Sequence, residues 1–239
     1  MGRGVGFVRG QRKITLGNDM RTFTPLIFAL LVGCASVVPN VDEALTPGIF
    51  LDLGARASLP AGVELRPVSL QGLQVTMVGE GWRPRLYNDV ARYCTIGYGH
   101  LIKRAPCDGS EPDYMRVGLS KERGQALLVD DMAAAQIAVM TAVNTDLTDN
   151  EYAALCDFVF NVGATNFRNS RLLAMVNARQ FDQVPVQLRR WTMAGGKQIK
   201  GLVNRRENEI ALFFNGKLTP RSAPPADEDI SPLDIRTGR

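Results

Sequence analysis

The spacing of apolar and polar residues in the first half of the chain predicts one helix followed by a small sheet. Ser69 precedes a run with an apolar side that extends to about Gly79, and Ser is favoured immediately before a helix. Residues 84–102 intersperse Tyr, Val and Ile with Gly, a pattern typical of short strands joined by tight turns. Residues 103–118 are mostly polar and predict a loop after the hairpin.

The second half of the chain shows helical spacing almost throughout. Ser120 predicts the start of a long helix that runs to about Ala142 with one apolar side. Thr148 and Glu151 form a capping box before residues 152–161, which are apolar nearly all round and therefore typical of a buried central helix. Shorter helices are predicted at about 170–178, 181–190 and 202–214. These elements predict an α+β chain with a small helix-plus-hairpin lobe, a larger helical lobe and a groove between them.

The N-terminal segment combines a basic stretch with an apolar run. Residues 23–38 carry no charge and end before Pro39, which is short for a membrane span of about 20 residues but fits the apolar core of an export signal. Leu31-Val-Gly-Cys34 also resembles a lipoprotein cleavage box, which makes Cys34 a lipidation candidate. A releasable membrane anchor and a buried core segment remain alternatives, and we favour export.

Composition divides the chain into four segments. We assign 1–38 to the leader, 39–65 to a linker rich in Pro and Gly, 66–218 to one folded domain and 219–239 to a disordered tail. The chain is 45% hydrophobic and 22% charged, which is ordinary for a soluble domain. Its net charge of +4 suits an acidic polymer or is ordinary surface charge, and it falls far short of the basic stripe of a nucleic-acid binder.

Candidate chemistry is concentrated in residues 80–100. Glu80 at the predicted helix end is followed nine residues later by Asp89 and six residues after that by Thr95. Acids on a helix end and an adjoining hairpin can face each other across a groove, as hydrolysis of a glycosidic bond requires. The structural alternatives are a solvent-facing Glu80, a turn Asp89 and an ordinary strand Thr95.

Three blocks of sequence then make the assignment more specific. The pattern of Glu80, Asp89 and Thr95, followed by Ile-Gly-Tyr-Gly-His, resembles the phage-type lysozymes, or endolysins, of glycoside hydrolase family 24. Residues 160–173 and 190–206 resemble the same family in the same order, and the resemblance covers roughly residues 66–216. It implies a lysozyme-like α+β fold with the active-site groove between the two lobes.

The resemblance implies a glycoside hydrolase that needs no cofactor. The enzyme would be an N-acetylmuramidase that cuts the β-1,4 bond between N-acetylmuramic acid and N-acetylglucosamine in peptidoglycan. Glu80 would be the general acid, which requires a raised pKa, and Asp89 with Thr95 would position water. An inverting mechanism predicts carboxyl groups about 6.5–9.5 Å apart. A lytic transglycosylase and a non-catalytic peptidoglycan-binding component of an envelope machine are the alternatives.

The resemblance also assigns supporting roles outside the carboxylate pair. It implies that Asn161, Gly163 and Asn166 line the groove and bind the sugars, with helix capping alone as the alternative. His100, the one histidine of the sequence, would form a structural ion pair with Asp131 or Asp130 rather than act as a base. One His and four scattered Cys offer no zinc-type spacing, so we expect no metal site.

The cysteines leave the redox state open. Cys94 and Cys107 flank the hairpin and could pair in an oxidising compartment, whereas Cys156 on the apolar helix is expected to be a buried free thiol. We expect a monomer that acts on peptidoglycan glycan strands in the bacterial periplasm or envelope, with membrane attachment through the N-terminal segment as an option. Phage lysis and bacterial wall remodelling both remain open.

Overall fold

The structure is a computed structural model and describes residues 59–239. The predicted leader, Cys34 and most of the predicted linker lie outside the described residues, so the predictions of export, lipidation and anchoring are not tested by the fold. Within residues 59–239, no helix is both long and apolar enough to span a bilayer.

The described residues form helices around one small sheet and one two-stranded hairpin. The helices are α1 (Leu70–Glu80), α2 (Asp113–Arg116), α3 (Lys121–Asp131), α4 (Ala133–Ala142), α5 (Asp149–Val162), α6 (Ala164–Arg168), α7 (Arg171–Asn177), α8 (Val184–Arg189) and α9 (Lys200–Phe213), with a 3-10 turn at Phe181–Gln183. The strands are β1 (Arg83–Asn88), β2 (Cys94–Gly97), β3 (His100–Lys103), β4 (Met193–Ala194) and β5 (Lys197–Gln198). The predicted α+β class is confirmed.

Helix α1 begins and ends where the sequence predicts. The Ser69 hydroxyl accepts a hydrogen bond from the backbone N–H of Gly72 and so satisfies one unpaired donor of the first turn. Gly81 adopts φ 69° and stops the helix, which places Glu80 in the last turn. Gly72 also permits close packing on α5, because a Cβ there would lie 2.5 Å from the Cβ of Ala153.

The three-stranded sheet is antiparallel in the order β1-β2-β3. Thr95 of the central strand pairs with Tyr87 of β1 and Leu101 of β3. A disulfide joins Cys94 at the start of β2 to Cys107 in the loop after β3, which settles the pairing that the sequence left open. A link across 13 residues stabilises the fold by about 3 kcal/mol in the chain-entropy model.

The long helix predicted over residues 120–142 is wrong in one respect, because the chain breaks it at Met132 into α3 and α4. The two pieces have different partners: α3 packs against β2 and β3, whereas α4 packs against α5. One straight helix could not serve both surfaces, and the break gives each half its own direction. The loop predicted over 103–118 likewise contains the short helix α2.

Helix α5 is the centre of the larger lobe. Thr148 and Glu151 form the predicted capping box, and every residue from Tyr152 to Val162 is buried. The helix packs against α1, α4 and α9, and its Cys156 is a free thiol with no exposed surface. Burial raises the pKa of this thiol to about 12. A second, smaller apolar cluster of Ile96, Met115 and Leu119 lies under the sheet, and Trp82 packs against both clusters.

The tail predicted to be disordered is packed at its end. The backbone N–H of Ile235 donates to the carbonyl of Met193, the N–H of Met193 donates to the carbonyl of Leu233, and the Ile235 side chain has no exposed surface. Asp234 makes a parallel bridge with Met193. The prediction of disorder rested on composition, because the segment is rich in Pro and Asp. One buried isoleucine and a few backbone hydrogen bonds are enough to pack its end against the edge of the β4–β5 hairpin.

Candidate active site

Glu80 is buried beside a cation. Its side chain is 2% exposed, and Oε1 accepts a hydrogen bond of 2.6 Å from Nη1 of Arg205 on α9. The turn between β2 and β3 also approaches it, because a Cβ on Gly99 would lie 3.3 Å from Oε2. The role of general acid assigned to Glu80 requires a raised pKa. The structure instead adds a guanidinium, which stabilises the carboxylate form and opposes the retention of a proton.

Tyr87 on β1 lies between the two candidate carboxylates. Burial raises its pKa to about 12; the guanidinium of Arg83, 4.5 Å from the ring centroid, acts in the opposite direction, and the charges of Glu80 and Asp89 add to the rise. Both acids therefore lie within electrostatic reach of one phenol. Along the chain, Glu80 and Asp89 lie just before and just after β1, the strand that carries Tyr87.

Asp89 lies in the tight turn between β1 and β2. Its backbone N–H donates to the carbonyl of Tyr93, and its Oδ1 accepts a hydrogen bond of 2.7 Å from the backbone N–H of Tyr93. Arg92 completes the turn with φ 63°, a conformation that non-glycine residues adopt rarely. The hydrogen bonds of the turn hold the partly exposed Asp89 carboxylate in one position. Asp89 can therefore stabilise the turn and also take part in catalysis.

Thr95 follows the disulfide-bonded Cys94 on the central strand and is 2% exposed. Its hydroxyl donates to the carbonyl of Tyr93 at 3.1 Å. The hydroxyl hydrogen is therefore used inside the hairpin, so in this conformation Thr95 can bind water only as an acceptor. Asp89 and Thr95 both bond to Tyr93, which fixes them relative to each other.

His100 forms the predicted ion pair, and the partner is Asp131 rather than Asp130. Its Nδ1 lies 2.9 Å from Oδ2 and 3.1 Å from Oδ1 of Asp131. The pair joins β3 to the end of α3 and supports the hairpin that carries Asp89. The contact identifies Asp131 as the partner, and the structural role of His100 stays a prediction.

A buried cluster of charged residues behind Glu80 was missed by the sequence analysis. Arg205 donates to Asp157 through Nε at 3.1 Å and through Nη2 at 2.8 Å, while its Nε lies 3.7 Å from Glu209. All three side chains are at most 2% exposed. The available signals were an aspartate inside an otherwise apolar helix and the Arg-Arg-x-x-Glu spacing at 205–209.

The charge states within this cluster follow from burial and pairing. Burial alone would lower the pKa of Arg205, but the carboxylates of Asp157, Glu80 and Glu209 hold it above its ordinary value. Burial opposes ionisation of Asp157, yet the contact with Arg205 brings its pKa below the ordinary value. Burial raises the pKa of Glu209 well above the usual range. Asp157 is therefore the ionised partner of Arg205, whereas Oε1 of Glu209 lies 2.7 Å from Nη2 of Arg206.

The three residues predicted to bind sugars have contacts or cap positions inside the fold, and their binding role stays a prediction. Asn161 has no exposed surface, and its Oδ1 accepts a hydrogen bond of 2.7 Å from Nη2 of Arg206. Gly163 ends α5 with φ 87°, which favours the helix-capping alternative. Asn166 donates through Nδ2 to the carbonyls of Val162 and Ile235, at 2.8 Å each. The side-chain oxygen of Asn161 and the side-chain nitrogen of Asn166 are thus hydrogen-bonded inside the fold. Two of their partners, Arg206 and Ile235, are distant in the sequence, so no local pattern predicts these contacts.

Glu111 is a second buried carboxylate, next to the disulfide. Its side chain is 1% exposed, lies 2.8 Å from Nζ of Lys103, and accepts hydrogen bonds from the backbone N–H groups of Asp108 and Gly109. The hydrogen bond from Lys103 lowers its pKa to about 2. Among the described residues, Glu111 with the two disulfide sulfurs is the one group close enough to hold a metal, but bonded sulfurs offer no thiolate ligands.

Comparisons with known proteins place this geometry in context. A family model described as "Phage lysozyme" matches residues 78–209. The endolysin of Bacillus phage B103 is 34% identical over 152 residues, which are 63% of this chain and 55% of that protein. The SAR-endolysin of Bacteriophage PS119 is 35% identical over 168 residues, 68% of this chain and 95% of that protein.

A solved structure gives the same picture. The muramidase domain of SpmX from Asticaccaulis excentricus superposes with a TM-score of 0.53 at 29% identity, covering 61% of this chain and 96% of that one. The chain spans little more than half the length of the Bacillus phage endolysin that it matches. Residues 78–209 contain the end of α1 with Glu80, the three-stranded sheet and the buried charged cluster, in that order.

Proposed function

The chain belongs to the phage lysozyme family, and on that premise we propose that it hydrolyses peptidoglycan as an N-acetylmuramidase. The substrate would be the β-1,4 bond between N-acetylmuramic acid and N-acetylglucosamine. The names of its relatives, endolysin, SAR-endolysin and muramidase domain, support this reaction class.

One observation carries the proposal: Glu80 ends α1 and Asp89 lies in the turn between β1 and β2, so the two candidate carboxyls flank the same strand. Glycoside hydrolysis uses two carboxyl groups on opposite sides of the scissile bond. The helix end is held by α5 and α9, and the turn is held by the sheet and the Cys94–Cys107 disulfide. The two acids are thereby carried by different elements, as catalysis from two sides of a glycosidic bond requires.

We propose that Glu80 protonates the leaving oxygen while Asp89 and the Thr95 hydroxyl oxygen orient the attacking water. To protonate the leaving oxygen, Glu80 must itself carry a proton despite its contact with Arg205. Asp89 remains partly exposed, whereas Glu80 is buried, so the two acids have the unequal environments that separate an acid from a base. This arrangement favours inversion over retention as the proposed outcome.

Clearing of a peptidoglycan suspension tests the acid. We expect Glu80→Gln to lose about 100-fold or more of the wild-type rate, since a positioned general acid contributes at least that factor. Glu207→Gln is the matched control. Glu207 is a half-exposed residue of α9 that pairs with Arg189 of α8, and this variant should clear at the wild-type rate. Equal clearing by wild type and Glu80→Gln would remove Glu80 from the mechanism.

The products distinguish the muramidase from a lytic transglycosylase. Mass spectrometry of the released fragments should show hydrated reducing ends, because positioned water attacks the sugar, and proton NMR should show the inverted anomer first. Fragments with 1,6-anhydro ends would instead establish the transglycosylase. The Asp89 and Thr95 pair favours water as the nucleophile, since a transglycosylase needs no positioned water.

We also propose export to the bacterial envelope through the apolar segment at residues 23–38, with residues 66–239 as the catalytic domain. The relatives named SAR-endolysin support export, and Cys34 remains the lipidation candidate. Cells expressing the full chain are grown with a palmitate analogue. Label that depends on Cys34 and disappears in Cys34→Ser establishes the lipoprotein, whereas unlabelled protein processed before residue 59 establishes a plain signal.

A further inference from the structure

The buried contacts of Arg205 create a problem for the proposed acid. A guanidinium 2.6 Å from Glu80 in a dry site favours the glutamate anion, yet a general acid must carry a proton before it reacts. Protonation of Glu80 would leave Arg205 charged and uncompensated unless another anion neutralises it. Burying such an unpaired charge is costly.

Asp157 supplies that second anion. It binds Arg205 in a bidentate manner through Nε and Nη2, the geometry in which guanidinium and carboxylate interact most strongly. The contact leaves Nη1 as the guanidinium nitrogen that faces Glu80. Asp157 is carried by α5 and has no exposed surface, so it cannot exchange this contact for water.

We propose that Asp157 is a positioning residue that compensates the charge of Arg205 and thereby allows Glu80 to be protonated during turnover. The inference rests on the proposed function, because it concerns the protonation of the acid assigned there. Asp157 touches neither substrate nor water in this scheme and acts only through Arg205. Because Nε and Nη2 bind Asp157, Arg205 reaches Glu80 through Nη1.

The remaining groups around the two carboxyls are consistent with this role. Glu209 on α9 is also near Arg205, but it comes no closer than 3.7 Å and its Oε1 lies 2.7 Å from Nη2 of Arg206, so Asp157 is the carboxylate that binds Arg205 in a bidentate manner. Tyr87 faces Glu80 from β1 and stays protonated at neutral pH, because burial raises its pKa to about 12. The other polar or charged groups of the neighbourhood are Thr76 and Cys156 beside Asp157, Arg206 beside Glu209, and Arg83 and Asp89 beside Tyr87.

The pH profile of kcat/KM tests the proposal in the full chain. Its alkaline limb reports the loss of the proton from the acid. Asp157→Asn removes the compensating charge, so Glu80 should ionise more readily and the limb should move to lower pH by about one unit or more, with KM unchanged. Asp157→Glu keeps the charge and should restore the wild-type limb. An unmoved limb in folded Asp157→Asn overturns the proposal.

A matched substitution controls for simple destabilisation. Asp234→Asn changes another largely buried, hydrogen-bonded aspartate, which bonds to the backbone of Gly196 and Arg236 away from the cluster. It should lower the melting temperature without moving the alkaline limb. Arg205→Gln provides the opposite sign: with the cation removed and Asp157 retained, the limb should move to higher pH. A shift in the same direction in both cluster variants would contradict compensation.

A measurement on the wild-type protein keeps the test decisive if the variants do not fold. Carboxyl carbon-13 NMR should show Asp157 ionised throughout the alkaline limb, while Glu80 titrates within it. Titration of Asp157 in that limb with Glu80 ionised throughout would overturn the inference. The Glu80→Gln assay separates the two proposals, because an active Glu80→Gln defeats the proposed acid, whereas an inactive one with an unmoved Asp157→Asn limb defeats only the role of Asp157.

Discussion

At the scale of single residues, buried carboxylates in this protein divide by the partner that each one finds. Glu111 has a lysine and backbone N–H donors, Asp157 has a bidentate arginine, and Glu209 has Arg206 at 2.7 Å in a site that raises its pKa by burial. Buried carboxylates therefore serve here as a loop support, as the proposed compensating anion and as the partner of a second arginine. The surroundings of each carboxyl group decide which role it takes, and those surroundings include residues distant in the sequence.

The Glu111 environment predicts a specific dependence of stability on pH. Its folded pKa of about 2 lies below the ordinary 4.5, so its contribution is present above pH 4.5 and is lost as pH falls toward 2. Urea unfolding at pH 7 and pH 3 should therefore show Glu111→Gln less stable than wild type at pH 7, with a smaller difference at pH 3. Asp149→Asn, an exposed acid paired with Arg66, controls for loss of a surface charge. A difference that stays constant with pH would contradict the assignment.

Local sequence signals predicted the elements that carry the candidate site residues better than they predicted the contacts of those residues. The helix cap at Ser69, the glycine that follows Glu80 and the spacing to Asp89 and Thr95 are local signals, and the structure confirms the elements that they predicted. The contact of Arg205 with Glu80 joins residues 125 positions apart, and no local pattern encodes it. The burial of Asn161 follows from Arg206 in the same way.

At the scale of elements, short-range signals predicted where helices begin but not how they bend or dock. Residues 120–142 have continuous helical spacing, yet α3 and α4 diverge at Met132 because one packs on the sheet and the other on α5. The final segment shows the complementary error: its composition predicts disorder, while its position beside β4 gives it hydrogen-bond partners. Tertiary contacts decided both cases.

The packed tail predicts different effects for two isoleucines of the same segment. Ile235 has no exposed surface, so Ile235→Ala should destabilise the tail by about 2 kcal/mol or more, whereas Ile230, which is 52% exposed, should tolerate the same change. Hydrogen exchange at the amides of Met193 and Ile235 measures this directly, since both donate across the tail contact. Equal loss of protection in the two variants would show that burial of Ile235 does not hold the segment.

At the scale of the whole molecule, two apolar clusters of unequal size share Trp82. The larger surrounds α5, and the smaller lies beneath the sheet that carries Asp89 and Thr95. Gly124 of α3 packs directly on this indole, where a Cβ would lie 2.2 Å from Cζ3. The ring is only two residues from Glu80, so both clusters contact the segment that carries the candidate acid. The lysozyme-like division into two lobes was predictable from the sequence pattern, whereas this shared ring was not.

Cys156 gives the large lobe an internal reporter. Its thiol has no exposed surface and lies on the most enclosed helix, so a soluble thiol reagent can reach it only when the surrounding helices separate. In a Cys34→Ser variant with the Cys94–Cys107 disulfide intact, the rate at which such a reagent modifies Cys156 reports the frequency of local opening. Opening of the protein interior can thus be measured without introducing any foreign probe.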